Sequence, residues 1–199
     1  MAQEIDYYFS IGSPWAYFGL PRLRDLAARY GYRIVPRAVG IIAENGAVPG
    51  RDKAPARQAY GGQDLRRWSA FLGKPLALEN RPTDDPAPAA RDVIAAALDG
   101  QDWLELALAL HEAHWARGEN IADPAVRRKI ADATGFDGAA LTARSAQADV
   151  SERLAADRAR AVALGVFGAP TYVVDGAAYW GQDRLDFLEH HLRTGAPLA

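Results

Sequence analysis

The sequence contains no cysteine among its 199 residues. This absence excludes disulfide bonds, thiolate metal sites, a cysteine nucleophile and dithiol redox chemistry carried by the protein itself. The sequence also has no excess of basic charge, with 23 Lys and Arg against 25 Asp and Glu and a net charge of −2. Since nucleic-acid binding requires a basic footprint, we expect no nucleic-acid partner.

Long hydrophobic runs are also missing. No apolar stretch approaches the roughly 18 residues that span a bilayer, and the N-terminus lacks the basic segment of a secretory signal. We therefore expect a cytoplasmic protein without a membrane segment. The length of 199 residues fits one domain, with room for an insertion.

The order of predicted elements indicates the fold class. Strand-type residues at 4–10 and 32–39 flank a helical pattern at 14–30, a β-α-β unit that normally pairs parallel strands. From about residue 40 the chain is irregular and then helical, at about 63–72, 89–115 with an interruption near Gly100, 123–134 and 137–164. Strands at 171–174 and 178–180, joined by Asp175-Gly176, precede a helix at 182–192. This order predicts an α/β protein whose small four-stranded sheet is split by a helical insertion.

Ser13 is the most informative polar residue. It stands between the first strand and a helix with Pro14 in its first position, the usual place of a capping serine. Backbone N–H groups and the helix dipole also favour an anion there, so Ser13 is either a cap alone or part of a site. The Gly-x-Ser-x-Gly elbow of hydrolases is disfavoured, because Gly12 directly precedes Ser13 and Trp15 occupies the place of the second glycine.

A metal site receives little support. His111 and His114 lie three residues apart on a predicted helix and could share one face. The zinc-protease spacing would require histidine at position 115, which is Trp115, and no other ligand cluster is evident. We therefore interpret the two histidines as a structural or solvent-facing pair and expect no metal.

Three separated motifs resemble one family closely: SPWAYFG at 13–19, GVFGAPT at 165–171 and YWGQDRL at 179–185. The segments DLRRW at 64–68 and WARGENI at 115–121 extend the resemblance over nearly the whole chain. The family is that of the 2-hydroxychromene-2-carboxylate isomerases, related to kappa-class glutathione transferases and to DsbA-type disulfide oxidoreductases. The resemblance implies a thioredoxin-like fold of about residues 1–45 and 163–199, split by an all-α helical domain at about 46–162.

The resemblance also implies where a thiol would come from. Ser13 and Ala16 occupy the places of the two cysteines in the redox-active relatives. Glutathione is the implied cofactor, and Ser13 is the implied catalytic residue, hydrogen-bonded to the glutathione sulfur. Pro170 is expected to be cis, which leaves the backbone of Ala169 to pair with the cysteinyl unit as a short added strand.

The same resemblance assigns a second glutathione-binding segment, formed by Trp180, Gly181, Gln182 and Asp183. Its N–H groups would hold the γ-glutamyl carboxylate while Asp183 receives the ammonium group. The implied reaction is a cis–trans isomerisation of a small aromatic substrate by addition and expulsion of the thiolate. A homodimer is a further expectation from the family.

The resemblance is weaker in the loop after the second strand. Gly46-Ala47 replaces a Gly-Asn pair, Ile42 falls near a family lysine that meets the substrate, and Arg57 stands for another basic residue. These departures affect the substrate more than the glutathione site. The alternatives are a kappa-like transferase that conjugates small electrophiles, and a non-catalytic thioredoxin-fold binding module.

Overall fold

A computed structural model describes residues 3–79 and 82–198. The strands are β1 (Glu4–Phe9), β2 (Arg33–Ala38), β3 (Thr171–Val174) and β4 (Ala177–Trp180). The α-helices are α1 (Pro14–Tyr30), α2 (Pro55–Leu72), α3 (Ala87–Leu98), α4 (Trp103–Trp115), α5 (Pro124–Ala133), α6 (Gly138–Ser145), α7 (Ala148–Ala163) and α8 (Leu185–Thr194). Short 3-10 turns lie at Ala43–Asn45, Gly50–Asp52 and Gln182–Arg184. The predicted thioredoxin-like part begins at residue 1 and ends at residue 199. Its outermost residues, 1, 2 and 199, lie outside the described residues.

The four strands form one mixed sheet in the order β2-β1-β3-β4. β1 and β2 are parallel, with Glu4 opposite Arg33, and α1 forms the crossover between them. β3 is antiparallel to β1, and β4 is antiparallel to β3. Between β2 and β3 the described residues form six α-helices. The predicted α/β class, with a small sheet split by a helical insertion, is therefore confirmed.

Helices cover both faces of the sheet. Alternate residues of a strand point to opposite faces, and Ile5, Tyr7 and Phe9 pack into the main core with residues of α1, α3 and α8. On the opposite face, Tyr8 packs with Ala161 of α7. Residues of α3 and α4 belong to the same main core as the sheet, so the inserted helices and the sheet share a continuous apolar interior. No helix of the described residues has both the length and the hydropathy needed to cross a membrane.

Paired charges attach α7 to the sheet. Arg37 of β2 donates one hydrogen bond to Asp6 of β1 at 2.7 Å and another to Asp157 of α7 at 2.6 Å. Asp157 also accepts from Arg153 at 2.9 Å, and Asp6 accepts from Arg160 at 2.9 Å. Buried carboxylates are tolerated when they are paired and hydrogen-bonded in this way. The network therefore fixes α7 against β1 and β2.

Two helix predictions need correction. The helix predicted from residue 63 begins at Pro55, a residue well suited to a first helical position. Because Gly61 and Gly62 have low helix propensity, the sequence pattern does not indicate the first turns of this helix. The segment predicted as helical at 137–164 is two helices with an extended Gln147 between them, and the Ser145 carbonyl at the end of α6 accepts from Arg91 at 3.0 Å. The interruption predicted near Gly100 is confirmed between α3 and α4.

Candidate functional site around Ser13

The sheet topology brings the predicted site residues to one end of the molecule. Ser13 follows the C-terminal end of β1. Because β3 is antiparallel to β1, the Ala169-Pro170 segment before β3 lies at the same end, and so does Trp180 at the end of β4. The Gln182–Arg184 turn follows Trp180 directly. The site residues that meet here are Ser13, Ala169, Trp180, Gly181, Gln182 and Asp183.

The Ser13 hydroxyl joins the start of α1 to the segment before β3. Ser13 has the extended backbone of an N-cap residue, and its Oγ accepts a hydrogen bond from the Ala16 N–H at 3.3 Å. The same hydroxyl donates to the carbonyl oxygen of Ala169 at 2.8 Å. Ser13 is only partly buried. The capping role is thus confirmed, and the hydroxyl is also placed beside a second backbone segment.

The peptide bond between Ala169 and Pro170 is cis, as the family resemblance implied. The carbonyl of Pro170 accepts a hydrogen bond from the Gly181 N–H at 2.9 Å. The Thr171 hydroxyl donates to the Gly168 carbonyl at 2.6 Å. The segment that carries Ala169 is therefore held by β4 on one side and by its own side-chain hydrogen bond on the other.

Two aromatic rings flank this segment on its outer side. Trp180 is 53% exposed, and its ring lies 4.8 Å from that of Phe167, with an angle of 59° between the ring planes. Gly168 lies beneath the indole, since a Cβ at this position would approach Trp180 Nε1 to 2.4 Å. The close approach of the ring to the backbone next to Ala169 therefore depends on glycine at position 168.

The turn after Trp180 presents one carboxylate to solvent. Gly181 has a φ of 98°, which favours glycine. The Asp183 side chain is 45% exposed and accepts from Arg184 at 2.6 Å. Gln182, in contrast, is 1% exposed, and its amide oxygen accepts from Arg22 at 2.8 Å. Gln182 can thus offer a ligand neither its side chain nor its carbonyl, which accepts from Arg22 at 3.0 Å.

The loop after β2 carries the departures from the family pattern. Ile42 is 1% exposed and packs with Tyr8 and Val166, so its side chain belongs to the core and cannot meet a substrate. Ala47 is half-buried and Arg57 is exposed. The neighbouring loop residue Asn45 has a role that sequence patterns do not reveal, because an Asn-Gly pair in a loop indicates only a turn.

Asn45 ties this loop to the end of α7. Its amide nitrogen donates to the carbonyl of Val166 at 2.8 Å and also lies within hydrogen-bond distance of the carbonyls of Val162 at 3.2 Å and Ala161 at 3.4 Å. These carbonyls come from the last turn of α7 and from the residues that lead to Ala169. The Ala161 and Val162 carbonyls also accept main-chain N–H groups, from Val166 at 2.9 Å and Gly165 at 3.1 Å, so the amide supplements these bonds and adds one to the Val166 carbonyl.

A cluster of aromatic side chains packs around the first turn of α1. Tyr17, Phe18 and Trp115 are buried and pack against half-buried Trp15 and Trp68. The indole N–H of Trp115 donates to the carbonyl of Ile11 at 2.9 Å, in the loop that precedes Ser13. The tryptophans near Ser13 therefore serve mainly to pack the inserted helices against the start of α1.

His111 and His114 lie inside this packing and not at a surface site. Their exposures are 1% and 2%. Burial lowers the pKa of His111 to about 3, with further lowering from His114 and Lys74. His111 is consequently neutral at ordinary pH. Within residues 3–79 and 82–198, no three histidine, cysteine, aspartate or glutamate side chains are grouped so that they could hold a metal ion.

Comparison with known proteins agrees with this architecture. The family model of the DSBA-like thioredoxin domain matches residues 4–193. The 2-hydroxychromene-2-carboxylate isomerase of Sphingobium xenophagum is 36% identical over 202 residues, covering 96% of this chain and 99% of that protein. A solved 2-hydroxychromene-2-carboxylate isomerase superposes with a TM-score of 0.82 at 24% identity, covering 96% and 94%. Cytosolic disulfide reductase DsbM from Pseudomonas aeruginosa, solved with GSH, superposes with a TM-score of 0.69 at 24% identity, covering 96% and 99%.

The mixed four-stranded sheet, the cis-proline before β3 and the helices inserted after β2 together define a thioredoxin-like fold of the DsbA type. The extent of the sequence match narrows this class further. The chain belongs to the 2-hydroxychromene-2-carboxylate isomerase family of DSBA-like thioredoxin-domain proteins.

Proposed function

We propose that this protein is a glutathione-dependent isomerase that interconverts the cis and trans forms of an aromatic-catabolism intermediate. The reaction is of the type that converts 2-hydroxychromene-2-carboxylate to trans-o-hydroxybenzylidenepyruvate. The observation that carries the proposal is the Ser13 hydroxyl, placed between the start of α1 and the Ala169 carbonyl in a chain without cysteine. The Sphingobium xenophagum isomerase supports it, because the alignment spans nearly the whole of both chains.

The groups around Ser13 match three parts of glutathione. A hydroxyl at a helix N-terminus suits the cysteinyl sulfur, and the Ala169 carbonyl suits the cysteinyl amide N–H. The half-exposed Asp183 carboxylate suits the γ-glutamyl ammonium, whereas the Gly181 N–H is already donated to the Pro170 carbonyl and Gln182 is enclosed. The residues present therefore fit the sulfur, the cysteinyl amide and the ammonium group of the cofactor. A fold relative, DsbM, has been solved with GSH.

Cofactor binding requires Ser13 to exchange its hydrogen-bond partner. In the free protein the hydroxyl proton is donated to the Ala169 carbonyl. When the cysteinyl N–H takes over that carbonyl, the Ser13 hydroxyl is free to donate to sulfur. The Ala16 N–H continues to donate to Ser13 Oγ, which keeps the hydroxyl oriented at the helix start.

The resulting environment favours a thiolate. A hydrogen bond to a charged group contributes about 1.5–3 kcal/mol, and about 1.4 kcal/mol lowers a pKa by one unit. The positive end of the α1 dipole adds to this effect. A thiol with a pKa of about 8.5 is thereby brought toward neutrality. Ser13 can thus activate the thiol without a separate general base.

When bound, glutathione supplies a thiolate that adds to a conjugated double bond, allows rotation about the resulting single bond and is expelled unchanged. Ser13 holds the sulfur before addition and after expulsion. No electron passes to or from the chain, so the reaction needs neither of the cysteines that Ser13 and Ala16 replace. The proposal includes a small aromatic substrate, a cytoplasmic location and a homodimer.

The test is an isomerisation assay with 2-hydroxychromene-2-carboxylate in the presence and absence of glutathione. We expect turnover only with glutathione, and recovery of all glutathione as free thiol. Ser13→Ala should abolish most of the rate, whereas Ser151→Ala, which changes a hydroxyl on α7 that bonds Arg91, should not. Turnover without glutathione would overturn the proposal, and accumulation of a glutathione adduct would assign the protein to the transferases instead.

A further inference from the structure

Arg22 makes an unusual set of contacts with the turn that follows Trp180. One nitrogen of its guanidinium, Nη1, donates both to the main-chain carbonyl of Gln182 at 3.0 Å and to the Gln182 side-chain oxygen at 2.8 Å. The other terminal nitrogen, Nη2, lies 3.5 Å from Asp186 in the first turn of α8. A single side chain of α1 therefore fixes both the backbone and the side chain of the residue before Asp183.

The packing around this contact leaves little freedom. A Cβ at Gly19, one turn before Arg22, would lie 3.1 Å from Gln182 Cβ and 2.4 Å from the Tyr172 hydroxyl. Helix α1 therefore reaches the turn in direct contact, and glycine at position 19 permits it. The Gln182 side chain is enclosed at 1% exposure, so it cannot adopt another orientation without losing its bond to Arg22.

The same turn is attached to the segment next to Ser13. Gly181, immediately before Gln182, donates its N–H to the Pro170 carbonyl at 2.9 Å. The turn is thus held at Gly181 by the cis-proline segment and at Gln182 by Arg22. Asp183 is the next residue and is the half-exposed tip of the arrangement.

We propose that Arg22 is a positioning residue for the glutathione site, acting through Gln182 to aim the Asp183 carboxylate at the ammonium group of the cofactor. This inference rests on the function proposed above. The Nη1 group of Arg22 orients the Gln182 peptide, and the Gln182 peptide sets the direction of the following residue. Arg22 itself does not contact the cofactor.

The test uses Arg22→Ala, with Arg29→Ala as the matched control. Arg29 is also on α1 and also bonds α8, through Glu189 at 2.8 Å, but it does not contact the turn. We expect Arg22→Ala to raise the KM for glutathione about tenfold to a hundredfold while kcat changes by less than about threefold. Arg29→Ala should leave both constants unchanged. Arg22→Lys should recover part of the affinity, because a lysine supplies donors for the Gln182 oxygens but not the second nitrogen beside Asp186.

Two further measurements separate this inference from the proposed function. The double variant Arg22→Ala/Gln182→Ala should bind glutathione no more weakly than the weaker single variant, since both changes act on one contact. Amide hydrogen exchange in the free protein should become faster at residues 181–184 in Arg22→Ala but not in Arg29→Ala. If the wild type binds glutathione and Arg22→Ala binds it equally well, the positioning role is wrong while the proposed function stands. If the wild type binds no glutathione, both are wrong.

Discussion

The Ser13 hydroxyl donates a 2.8 Å hydrogen bond to the carbonyl of Ala169, a residue 156 positions later in the chain. The bond joins the first helix to the segment before β3, and both segments flank the space in which the cofactor sulfur is expected. Ser13 thus has two separable contributions, one to the fold as a helix cap and one to the proposed reaction as a hydrogen-bond donor.

Ser13→Ala should separate these contributions. Loss of the cap lowers the free energy of unfolding by about 1 kcal/mol, whereas loss of a hydrogen bond to a thiolate lowers kcat about tenfold to a hundredfold. Ser13→Thr keeps a hydroxyl and should retain more activity. Urea denaturation and initial rates at saturating glutathione measure the two effects. A rate that falls only in proportion to the folded fraction would leave Ser13 as a cap alone.

Gly168→Ala should disturb the site through Trp180. The added methyl group would lie 2.4 Å from Trp180 Nε1, so the indole must move away from the backbone next to Ala169. We expect changed tryptophan fluorescence, weaker glutathione binding and a loss of stability of about 1–3 kcal/mol. Gly61→Ala is the control, because a Cβ there meets open space in the interior of α2 and should stabilise the helix. Unchanged fluorescence in Gly168→Ala would contradict this account.

The lowered pKa of buried His111 should make the stability of the protein depend on pH. Its pKa is lowered to about 3 by burial, whereas in the unfolded chain it is about 6.5. Between these values the unfolded state binds the additional proton, so the free energy of unfolding decreases as the pH falls from about 6.5 to 3. The slope approaches about 1.4 kcal/mol per pH unit for this one group.

His111→Leu should remove this contribution. Neither ring nitrogen of His111 has a hydrogen-bond partner within the described residues, so an apolar replacement breaks no hydrogen bond. We expect the variant to gain stability relative to wild type as the pH is lowered. Leu106→Ala, elsewhere on α4, should lower stability by a similar amount at every pH. The free energy of unfolding of the three proteins is measured from denaturation curves at several acidic pH values. If it changes with pH in the same way for wild type and His111→Leu, the prediction is wrong.

Asn45→Ala should loosen the end of α7. The substitution removes the amide donor from the Val166 carbonyl, whereas the Ala161 and Val162 carbonyls keep their main-chain donors, and it lowers the free energy of unfolding by about 0.5–1.5 kcal/mol. Glu44→Gln, one residue earlier, breaks an exposed ion pair with Arg158 and should change stability little. The urea midpoints of both variants provide the comparison, and equal midpoints would argue against the anchoring role of Asn45.

Local sequence signals predicted the parts of the structure that depend on neighbouring residues. Ser13 before Pro14 predicted the start of α1, and the structure shows the expected cap. Asp175-Gly176 predicted the β3–β4 turn, where both residues have positive φ, as a tight hairpin turn requires. In these cases backbone preferences of a few residues determine the outcome.

Contacts between segments that are far apart in the chain could not be predicted from local sequence patterns. Arg22 and Gln182 are 160 residues apart, and an arginine in a helix indicates nothing about its partner. At the break near Gln147 the Ser145 carbonyl accepts from Arg91, 54 residues earlier in the chain, a contact that no local pattern indicates. The burial of Ile42 follows from the packing of α7 on the sheet. Such features arise from tertiary packing, which overrides local propensity.

The pKa of the glutathione thiol in the bound state tests the central claim most directly. Thiolate formation can be followed by its ultraviolet absorbance during a pH titration of the complex, and the chain adds no thiol signal of its own because it lacks cysteine. We expect the wild-type complex to titrate well below about 8.5, toward neutrality, and Ser13→Ala to return the pKa close to that of free glutathione. An unshifted thiol pKa in the wild-type complex, or an equal shift in Ser13→Ala, would contradict activation of the thiol by Ser13.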